Sequence, residues 1–384
     1  MLEFKVDKID KFGARAGSIR LNNYDDMIET PTRAMTNADF GHVKSLREIG
    51  LFKDGFDSIP NRVIEVSSPF WPKRLKTLDD SYTTEKQKDQ LYQYVEDQSR
   101  LVLYSPVFSR TSVVSDKNNE VLMNIQQQAG FKAVTVCDRH VASSAEILSK
   151  RIDFAKQYIT TYDNGDRLAT FVQLELEGAP YQLFIEKLKA VSKANVSGLI
   201  IRYGSLKTNI DKYAAVHELF NDKNLLLHLS GIRASFKGNH MKNSLYTMML
   251  MPMFGFDSVA LWATGFGDVK EHVIRFGSAR RFNTKTYAYQ KLENIYPNFS
   301  KAMGCDCLVD RGLTVENFSN KFNGTVTIND ANKMHDLLSS QTELELESAA
   351  IKNQDLIRFL HTKPLAKESV SALNLLSNKL HASA

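Results

Sequence analysis

The chain is poor in cysteine and has no long apolar run. Three cysteines in 384 residues are too few for the disulfide framework of a small secreted domain. No stretch of eighteen or more residues is purely apolar, which excludes an ordinary membrane-spanning helix. The opening MLEFKVDKID alternates charged and apolar side chains and lacks the apolar core of a secretory signal. These absences predict a cytoplasmic protein that makes no contact with a membrane.

Short apolar or β-branched runs are abundant, and stretches with helical periodicity separate them. Parallel strands need a covering crossover between them, and they read as nearly continuous hydrophobe. Eight such strand and helix repeats predict an α/β fold of the (β/α)8 TIM-barrel type. The eight runs begin at Ile28, Arg62, Leu101, Ala133, Ala169, Gly198, Leu225 and Phe256.

Polar residues stand where these runs end. In (β/α)8 barrels the chemistry lies at the carboxyl ends of the strands, so these side chains are expected to converge on one mouth. For any one of them, a cap of the next helix or a solvent-facing side chain is the alternative. Asp257 follows the apolar run MMLMPMFGF, and a carboxylate in such surroundings needs a partner or a task. The set comprises Ser67, Ser68, Ser105, Asp138, Gln173, Arg202, Gly204, His228, Ser230 and Asp257.

The stretch GCDCLVD holds two of the three cysteines, one residue apart. Cys305, Cys307 and Asp310, with His335 from a predicted helix further on, form an acceptable ligand set for tetrahedral Zn²⁺. A loop with two free thiols and no metal is the alternative. A redox pair is disfavoured, because the spacing differs from C-x-x-C.

Two basic segments include aromatic residues among their cations. They are RFGSARRFNTK, which contains Arg280 and Arg281, and SPFWPKRLK. Such a mixture suits a phosphate backbone with stacked bases, so Arg280 and Arg281 are candidate nucleic-acid contacts. An ordinary solvated face is an equally good interpretation of the same pattern.

Several motifs together resemble the tRNA-guanine transglycosylase family over nearly the whole chain. ARAGSIRL followed by ETPTRAMTN is similar to the family's opening segment, and CDCLVD followed by NKMH is similar to its C-x-C-x-x-C and histidine. The resemblance implies a (β/α)8 barrel with a zinc-binding insertion near its C-terminal end. It makes Cys305, Cys307 and His335 ligands of a structural Zn²⁺, with Asp310 in place of the third cysteine. We expect a barrel over residues 1–290, a zinc-binding subdomain over 291–345 and packed helices over 346–384.

The same resemblance assigns roles inside the barrel. FDSVALWA is similar to the segment that carries the nucleophilic aspartate, which implies Asp257. VTVCDRH implies that Asp138 recognises the purine, and TFVQLEL implies the same for Gln173. Two segments depart from the family pattern. A glycine pair is replaced before Gly204, and the third strand carries Tyr104 and Ser105 where the family has an aspartate-serine pair. Tyr104, Ser105, Gly204 and His228 are expected to line the base site together with Asp138 and Gln173, and His228 or Tyr104 is the candidate acid for the leaving base.

The implied activity is exchange of guanine for a 7-deazaguanine base in nucleic acid, with tRNA as the first expectation. The exchange would pass through a covalent intermediate on Asp257. The expected partners are the nucleic acid, the base and a second subunit, in either a homodimer or a heterodimer with a paralogue. Alternatives are a non-catalytic RNA-binding paralogue, an archaeosine-synthase-like enzyme and a DNA-directed relative. Loss of the third-strand aspartate favours the alternatives.

Overall fold

The computed structural model describes residues 2–21, 27–48, 61–70, 72–78, 81–109, 112–138, 143–162, 168–232, 243–245, 247–262, 280–291 and 328–367. The strands are β1 Leu2–Ile9, β2 Arg15–Leu21, β3 Met27–Thr30, β4 Thr32–Arg33, β5 Met35–Thr36, β6 Val63–Val66, β7 Pro69–Phe70, β8 Leu101–Tyr104, β9 Val107–Phe108, β10 Ala133–Cys137, β11 Ala169–Glu175, β12 Gly198–Arg202, β13 Leu226–Ile232, β14 Asn243–Leu245, β15 Ser258–Leu261, β16 Arg280–Asn283 and β17 Ala288–Lys291. The helices are α1 Asn37–Glu48, α2 Pro72–Lys76, α3 Ser81–Val95, α4 Asp116–Gln128, α5 Ala145–Tyr162, α6 Tyr181–Lys193, α7 Leu206–Phe220, α8 Ile328–Lys352 and α9 Leu356–His361, with a 3-10 helix at Thr247–Phe254.

The central strands are parallel and lie in the order in which the chain forms them. One ladder runs β10, β11, β12, β13, β15, β4, and the other runs β5, β6, β8. Ala34 alone separates β4 from β5, so this interrupted strand joins the two ladders. β8 and β10 lie side by side and complete the circuit. The predicted α/β fold with parallel strands is therefore confirmed, and the strand order is that of a (β/α)8 ring.

At the seam between β8 and β10, side chains of α4 bond the backbone of β10. In the described part of the chain no hydrogen-bond ladder joins these two strands. Instead, Asn119 accepts from the backbone N–H of Cys137 at 2.8 Å and donates to its carbonyl at 3.0 Å. Gln126 accepts from the N–H of Thr135 at 2.8 Å. Because a buried backbone group without a partner is costly, these two amides replace the missing strand pairing.

Sequence patterns explain why the layers pack as they do. The five residues of β12 are buried throughout, as expected of a parallel strand covered on both faces. In α6 the side chains of Phe184, Leu188 and Val191 recur at helical spacing and are buried against the strands. The helices therefore form an outer layer around the ring, and the interior of the ring is left to the inward-facing strand residues.

A three-stranded antiparallel sheet covers the end of the ring where the strands begin. It consists of β1, β2 and β3. Phe4 and Ile19 of this sheet share one apolar cluster with Val63, Leu101 and Leu226, which lie at or near the first positions of ring strands. The amino-terminal end of the barrel is therefore closed, and the carboxyl-terminal end remains as the place for a site.

Helix α8 lies against the ring and against the antiparallel sheet. It contacts α1, β4 and β16 as well as β1, β2 and β3. The predicted boundary between residues 345 and 346 falls inside this single helix, so α8 contributes to both predicted units. Among the described helices, none has the length and apolar character needed to cross a membrane.

Candidate functional site

A buried polar network fills the ring just below its carboxyl-terminal mouth, with Glu65 at its centre. One carboxylate oxygen of Glu65 accepts from the hydroxyls of Ser67 at 2.7 Å and Ser230 at 2.8 Å. The other oxygen lies 2.7 Å from Nε2 of His228. Burial acts to raise the pKa of Glu65, but His228, Arg202 and Ser67 outweigh it and lower that pKa below its ordinary value. Glu65 is thus held as a carboxylate in the middle of the barrel.

Arg202 joins this network from the neighbouring strand β12. Its Nη1 donates to the hydroxyl of Ser230 at 2.8 Å and to that of Ser105 at 3.3 Å, and the two serine oxygens are 2.9 Å apart. The distance from Nη1 to the Glu65 carboxylate is 4.0 Å. Burial lowers the pKa of Arg202, whereas the charges of Glu65 and Glu175 act to raise it. The serines therefore connect the two opposite charges through hydrogen bonds.

An aromatic side chain stands above Arg202 at the mouth. Trp262 follows the last residue of β15 and is 44% exposed, with the guanidinium carbon of Arg202 at 5.2 Å from its ring centre. Gly231 lies against both side chains with φ +75°, and a Cβ there would come within 3.1 Å of Arg202 Nη2 and 3.2 Å of the Trp262 ring. Only glycine fits this position without strain.

Gln173 of β11 adds an oriented amide to the interior. Its nitrogen donates to the carbonyl of Pro106 at 2.8 Å, which leaves its oxygen as an acceptor. Within the described residues that oxygen has no hydrogen-bond partner, although it is buried. Of the sequence-predicted residues, Ser105, Gln173 and His228 are therefore brought into the ring interior together.

Asp257 lies at the opposite end of the barrel, and this placement contradicts its predicted role as the nucleophile at the mouth. β15 begins at Ser258, so Asp257 precedes the strand rather than ending it. Its two carboxylate oxygens accept from Nε and Nη2 of Arg15 at 2.8 and 2.9 Å, and one also accepts from the N–H of Leu227 at 2.7 Å. Burial raises the pKa of Asp257 to about 6, against the opposing charge of Arg15. We conclude that Asp257 fastens the N-terminal sheet to the barrel.

Two other predicted residues face the helices instead of the ring interior. Tyr104 is buried in the apolar layer beneath the helices, in an edge contact with Phe131 at 6.1 Å between ring centres. Asp138 forms a buried ion cluster with Lys187 of α6 at 2.6 Å and Arg151 of α5 at 3.4 Å, and it also accepts from Ser143. Their predicted contacts with a base are contradicted, because alternate strand residues point to opposite faces.

Gly204 forms part of the turn after β12. Its carbonyl accepts from the hydroxyl of Tyr213 at 3.0 Å, and a Cβ at this position would meet Asn209 at 2.9 Å. A side chain there would have to displace the Asn209 amide, so glycine favours the close packing of α7 against this turn. A contact between Gly204 and a base remains a prediction.

The predicted phosphate contact at Arg281 is contradicted by its burial. This side chain has no exposed surface, and its Nε donates to Asn332 of α8 at 3.0 Å. The side chain of Arg280 lies outside the described residues. Arg281 therefore joins β16 to α8, and it is not placed on an outer surface where a nucleic acid could reach it.

His335 is the one predicted zinc ligand within the described residues, since Cys305, Cys307 and Asp310 fall outside them. Its Nε2 lies 3.2 Å from the carbonyl of Phe282, and Ser339 lies 3.4 Å from its Nδ1. A histidine that ligates a metal usually donates its other ring N–H to such a carbonyl, but the Ser339 hydroxyl also lies 3.3 Å from Nε2 and thus stands beside both ring nitrogens. In the described part of the chain, no three metal-binding side chains are grouped together.

Glu65 and Trp262 are site residues that the sequence reading missed. Glu65 stands inside the apolar run VIEV and not at its end, while Trp262 comes one residue after β15. Strand alternation contains the missing signal. Counting every second residue back from Ser67 reaches Glu65, and from Ser230 the same count reaches His228. A charged residue on the inward face of a buried strand requires partners across the ring.

Comparisons with known proteins leave the family open. No family model matches the chain, and no curated protein matches it. Among solved structures, 2,3-dimethylmalate lyase of the PEP mutase/isocitrate lyase superfamily is 12% identical with TM-score 0.38, covering 60% of this chain and 75% of its own. Type I 3-dehydroquinate dehydratase from Clostridium difficile is 11% identical with TM-score 0.38, covering 63% and 88%. A tryptophan synthase structure from Pyrococcus furiosus is 10% identical with TM-score 0.36, covering 60% and 85%. None of the three is a transglycosylase, and likeness at this level decides nothing about activity.

Proposed function

We propose that this protein is a transglycosylase-like barrel that binds a guanine-type nucleotide of RNA at its mouth without forming a covalent intermediate on Asp257. The observation that carries the proposal is the buried Asp257–Arg15 pair at the closed end of the barrel. A carboxylate that attacks C1′ must reach the ribose. Asp257 is enclosed by the N-terminal sheet, and both of its carboxylate oxygens already accept hydrogen bonds. The proposal follows the non-catalytic alternative and sets aside exchange through Asp257.

The residues at the carboxyl-terminal mouth support a binding role. The half-exposed indole of Trp262 is a surface on which a base can stack. Below it, the side chain of Arg202 is 9% exposed and can offer hydrogen-bond donors, while the buried amide oxygen of Gln173 lies deeper in the ring without a partner among the described residues. A planar base with polar edges matches this combination better than an apolar ligand does.

Two carboxylates of the described chain near the mouth, those of Glu65 and Asp138, are engaged. Both oxygens of Glu65 accept hydrogen bonds from neighbouring side chains, and Asp138 is paired with Lys187. A nucleophile needs a free lone pair aimed at the reacting carbon. This supports binding without a covalent step.

The experiment is adduct trapping alongside a binding measurement. The full-length protein is incubated with tRNA and radiolabelled guanine and then split between a native binding assay and a denaturing gel. We expect RNA to be bound in the native assay and no protein–RNA species to survive denaturation. A surviving species, mapped by mass spectrometry to a peptide containing Asp257, would sink the proposal. Absence of RNA binding would also contradict it.

We also propose a structural Zn²⁺ held by Cys305, Cys307, Asp310 and His335. The contact of His335 Nε2 with the Phe282 carbonyl supports it, because a histidine that ligates a metal usually donates its other ring N–H to such a carbonyl. When bound, the ion would tie the segment that bears the cysteines to α8. Metal analysis of the purified protein is expected to give about one zinc per chain, which Cys305→Ser should abolish. A metal content that is unchanged in that variant would refute the site.

Association into a homodimer, or a heterodimer with a paralogue, remains part of the proposal. The native mass of the purified protein decides between these states. Light scattering of the purified protein with and without tRNA would give it. A monomer under both conditions would contradict a homodimer.

A further inference from the structure

One tyrosine hydroxyl stands between two glutamates where helix α8 meets the β16–β17 hairpin. Tyr287 lies in the turn of the hairpin, and Glu343 and Glu347 lie one turn apart on α8. The hydroxyl oxygen of Tyr287 is 3.0 Å from Oε2 of Glu343 and 3.1 Å from Oε1 of Glu347. A phenolic hydroxyl carries one proton and can donate it to only one of the two carboxyl groups. The other contact is a hydrogen bond only if that carboxyl group supplies a proton.

Lys363, which follows α9, supplies a positive charge to Glu343. Its Nζ donates to Oε2 of Glu343 at 2.7 Å and to the carbonyl of Thr284 at 2.8 Å, and it lies 4.8 Å from the ring centre of Tyr287. Glu343 therefore has a counter-charge in direct contact, which is the environment of a carboxylate. The same ammonium joins the segment after α9 to the hairpin and to α8.

Glu347 is in a different position, because it is fully buried and its Oε2 has no hydrogen-bond partner among the described residues. If it were ionised, its charge would be buried beside that of Glu343, and protonation avoids this cost. Burial raises the pKa of Glu347 well above its ordinary value, and the charge of Glu343 acts in the same direction. The hydrogen bond from Tyr287 and the charge of Lys363 act to lower it. The ionisable groups that face Glu347 thus come from its own helix, from the hairpin and from the segment after α9.

We propose that Glu347 is protonated in the folded protein and donates through the Tyr287 hydroxyl to the Glu343 carboxylate, and that this proton fastens the hairpin and the segment after α9 to α8. Glu347 donates to Tyr287, Tyr287 donates to Glu343, and Glu343 also accepts from Lys363. Every proton in this chain has an acceptor, and one ammonium balances one carboxylate. Loss of the proton leaves two buried carboxylates that share one ammonium and one hydroxyl. We therefore expect this joint to open as the medium becomes alkaline.

The direction of the pH effect follows from the raised pKa of Glu347. When the joint opens, Glu347 reaches water and ionises with the pKa of an ordinary glutamate, so opening releases one proton. Between this pKa and the raised pKa of the closed joint, the opening constant should rise by up to about tenfold for each pH unit. The contribution to stability is full below the pKa of the open form and is lost as pH rises through the pKa of the closed form. Burial also raises the pKa of Tyr287, so its hydroxyl keeps its proton over this range.

The test is amide hydrogen exchange of the full-length protein between pH 5 and pH 8, followed in peptides that cover residues 353–367 and corrected for intrinsic exchange rates. We expect the opening constant of the wild-type protein to rise with pH. In Glu347→Gln, whose neutral amide can still donate to Tyr287, the rise should be smaller by up to about tenfold per pH unit. Asp336 on the same helix also has a pKa raised by burial to about 6, so the difference between the variant and wild type is the readout. Glu345→Gln is the matched control, because it removes an exposed carboxylate from α8 and should keep the wild-type rise.

Infrared difference spectroscopy locates the proton directly. A protonated carboxyl group has a carbonyl stretch that carboxylates lack. The spectrum of the wild-type protein minus that of Glu347→Gln should contain this band at pH 6, where an ordinary glutamate is almost fully ionised. The band should weaken as pH rises.

Three results would overturn the inference. One is an opening constant of the wild-type protein that does not change with pH, which needs no variant. Another is an equal rise with pH in the wild-type protein and in folded Glu347→Gln. The third is absence of the protonated-carboxyl band at pH 6. None of these readouts involves a ligand at the mouth, so the proposed function can fail while this inference stands, and the reverse also holds.

Discussion

The two ends of the barrel each hold an arginine beside a buried carboxylate and an aromatic ring, but the two arginines differ in what they leave open. Arg15 at the closed end binds Asp257 through two nitrogens and donates to the carbonyls of Phe220 at 2.7 Å and Leu225 at 2.5 Å. All of its nitrogens are used, and none of its surface is exposed. Such an arginine can only hold the structure together.

The surroundings of Arg202 at the mouth contain the same residue types, but they leave part of this arginine exposed. Nη1 of Arg202 lies 4.0 Å from the Glu65 carboxylate, and the Ser230 hydroxyl links the two by accepting from Arg202 and donating to Glu65. Its ring partner Trp262 is half exposed, whereas the ring partner of Arg15, Phe4, is buried. Burial and an arginine–carboxylate pair are therefore insufficient to mark a site. Unused donors that reach solvent are the distinguishing feature.

The largest expected effect comes from breaking the pair at the closed end. Asp257→Leu leaves the Arg15 guanidinium buried without a counter-charge, which should lower the free energy of unfolding by about 3–5 kcal/mol. Denaturant titration followed by circular dichroism measures it. The double replacement Arg15→Met with Asp257→Leu should recover part of the loss, because no unpaired charge is left. A loss below about 1 kcal/mol in the single variant would show that this pair does not fasten the sheet.

The pH dependence of stability should have opposite signs at the two ends. The pKa of Asp257 is raised from 3.8 to about 6 in the folded protein. Its contribution to stability is therefore full below the pKa of the unfolded chain and is lost as pH rises through about 6. The pKa of Glu65 is lowered in the folded protein. Its contribution to stability is therefore present above the pKa of the unfolded chain and is lost as pH falls through the lower pKa of the folded protein.

Unfolding free energies of Asp257→Asn and Glu65→Gln, measured against wild type from pH 3 to pH 8, test these signs. The deficit of Asp257→Asn should shrink by up to about 3 kcal/mol as pH rises from about 4 to 7. The deficit of Glu65→Gln in unfolding free energy, relative to wild type, should grow as pH rises out of the acid range. Parallel pH profiles for the two variants would contradict the assignment of opposite shifts.

Replacing Ser230 by alanine should lower the free energy of unfolding more than the same replacement at Ser258, which is also buried. Ser230 bonds Arg202, Glu65 and Ser105, so Ser230→Ala leaves buried charged groups short of a partner and should cost about 1–3 kcal/mol. Ser258→Ala is the matched control, since its buried hydroxyl has no partner among the described residues and its loss should be nearly neutral. The two variants are compared by thermal unfolding. Equal effects would mean that the network contributes little.

The sequence predicts the repeats but not which end of the barrel a residue occupies. Runs such as GLII and LLLH identify buried parallel strands, because burial on both faces imposes continuous hydrophobe. Asp257 is the second residue of the run that begins at Phe256, so it lies where β15 begins and not at the carboxyl-terminal mouth. Its partner Arg15 lies 242 residues away in sequence, and no local pattern reveals such a contact.

The face of the sheet on which a side chain lies is a second property, and it can be assigned only when the first and last residues of the strand are known. Tyr104 and Ser105 are neighbours in sequence, yet one packs against Phe131 under the helices and the other bonds Ser230 inside the ring. Once the bounds of β8 are known, alternation assigns each face. Without them, a motif aligned one residue out of register moves every side chain to the wrong layer. The misplacement of Asp138, which follows β10 directly, has the same origin.

The smallest effect on stability, and the sharpest separation of the two ends, is expected from Trp262→Ala. The indole is half exposed and its contact with Arg202 lies at the surface, so the loss in unfolding free energy should stay within about 1 kcal/mol. Phe4→Ala removes the buried ring that packs on Arg15 and should cost about 3 kcal/mol or more. Guanosine binding should respond in the reverse order, lost in Trp262→Ala and retained in Phe4→Ala under conditions where that variant is folded. If Trp262→Ala binds guanosine as tightly as the wild type does, the mouth is not a base site, and the two arginines would both be structural.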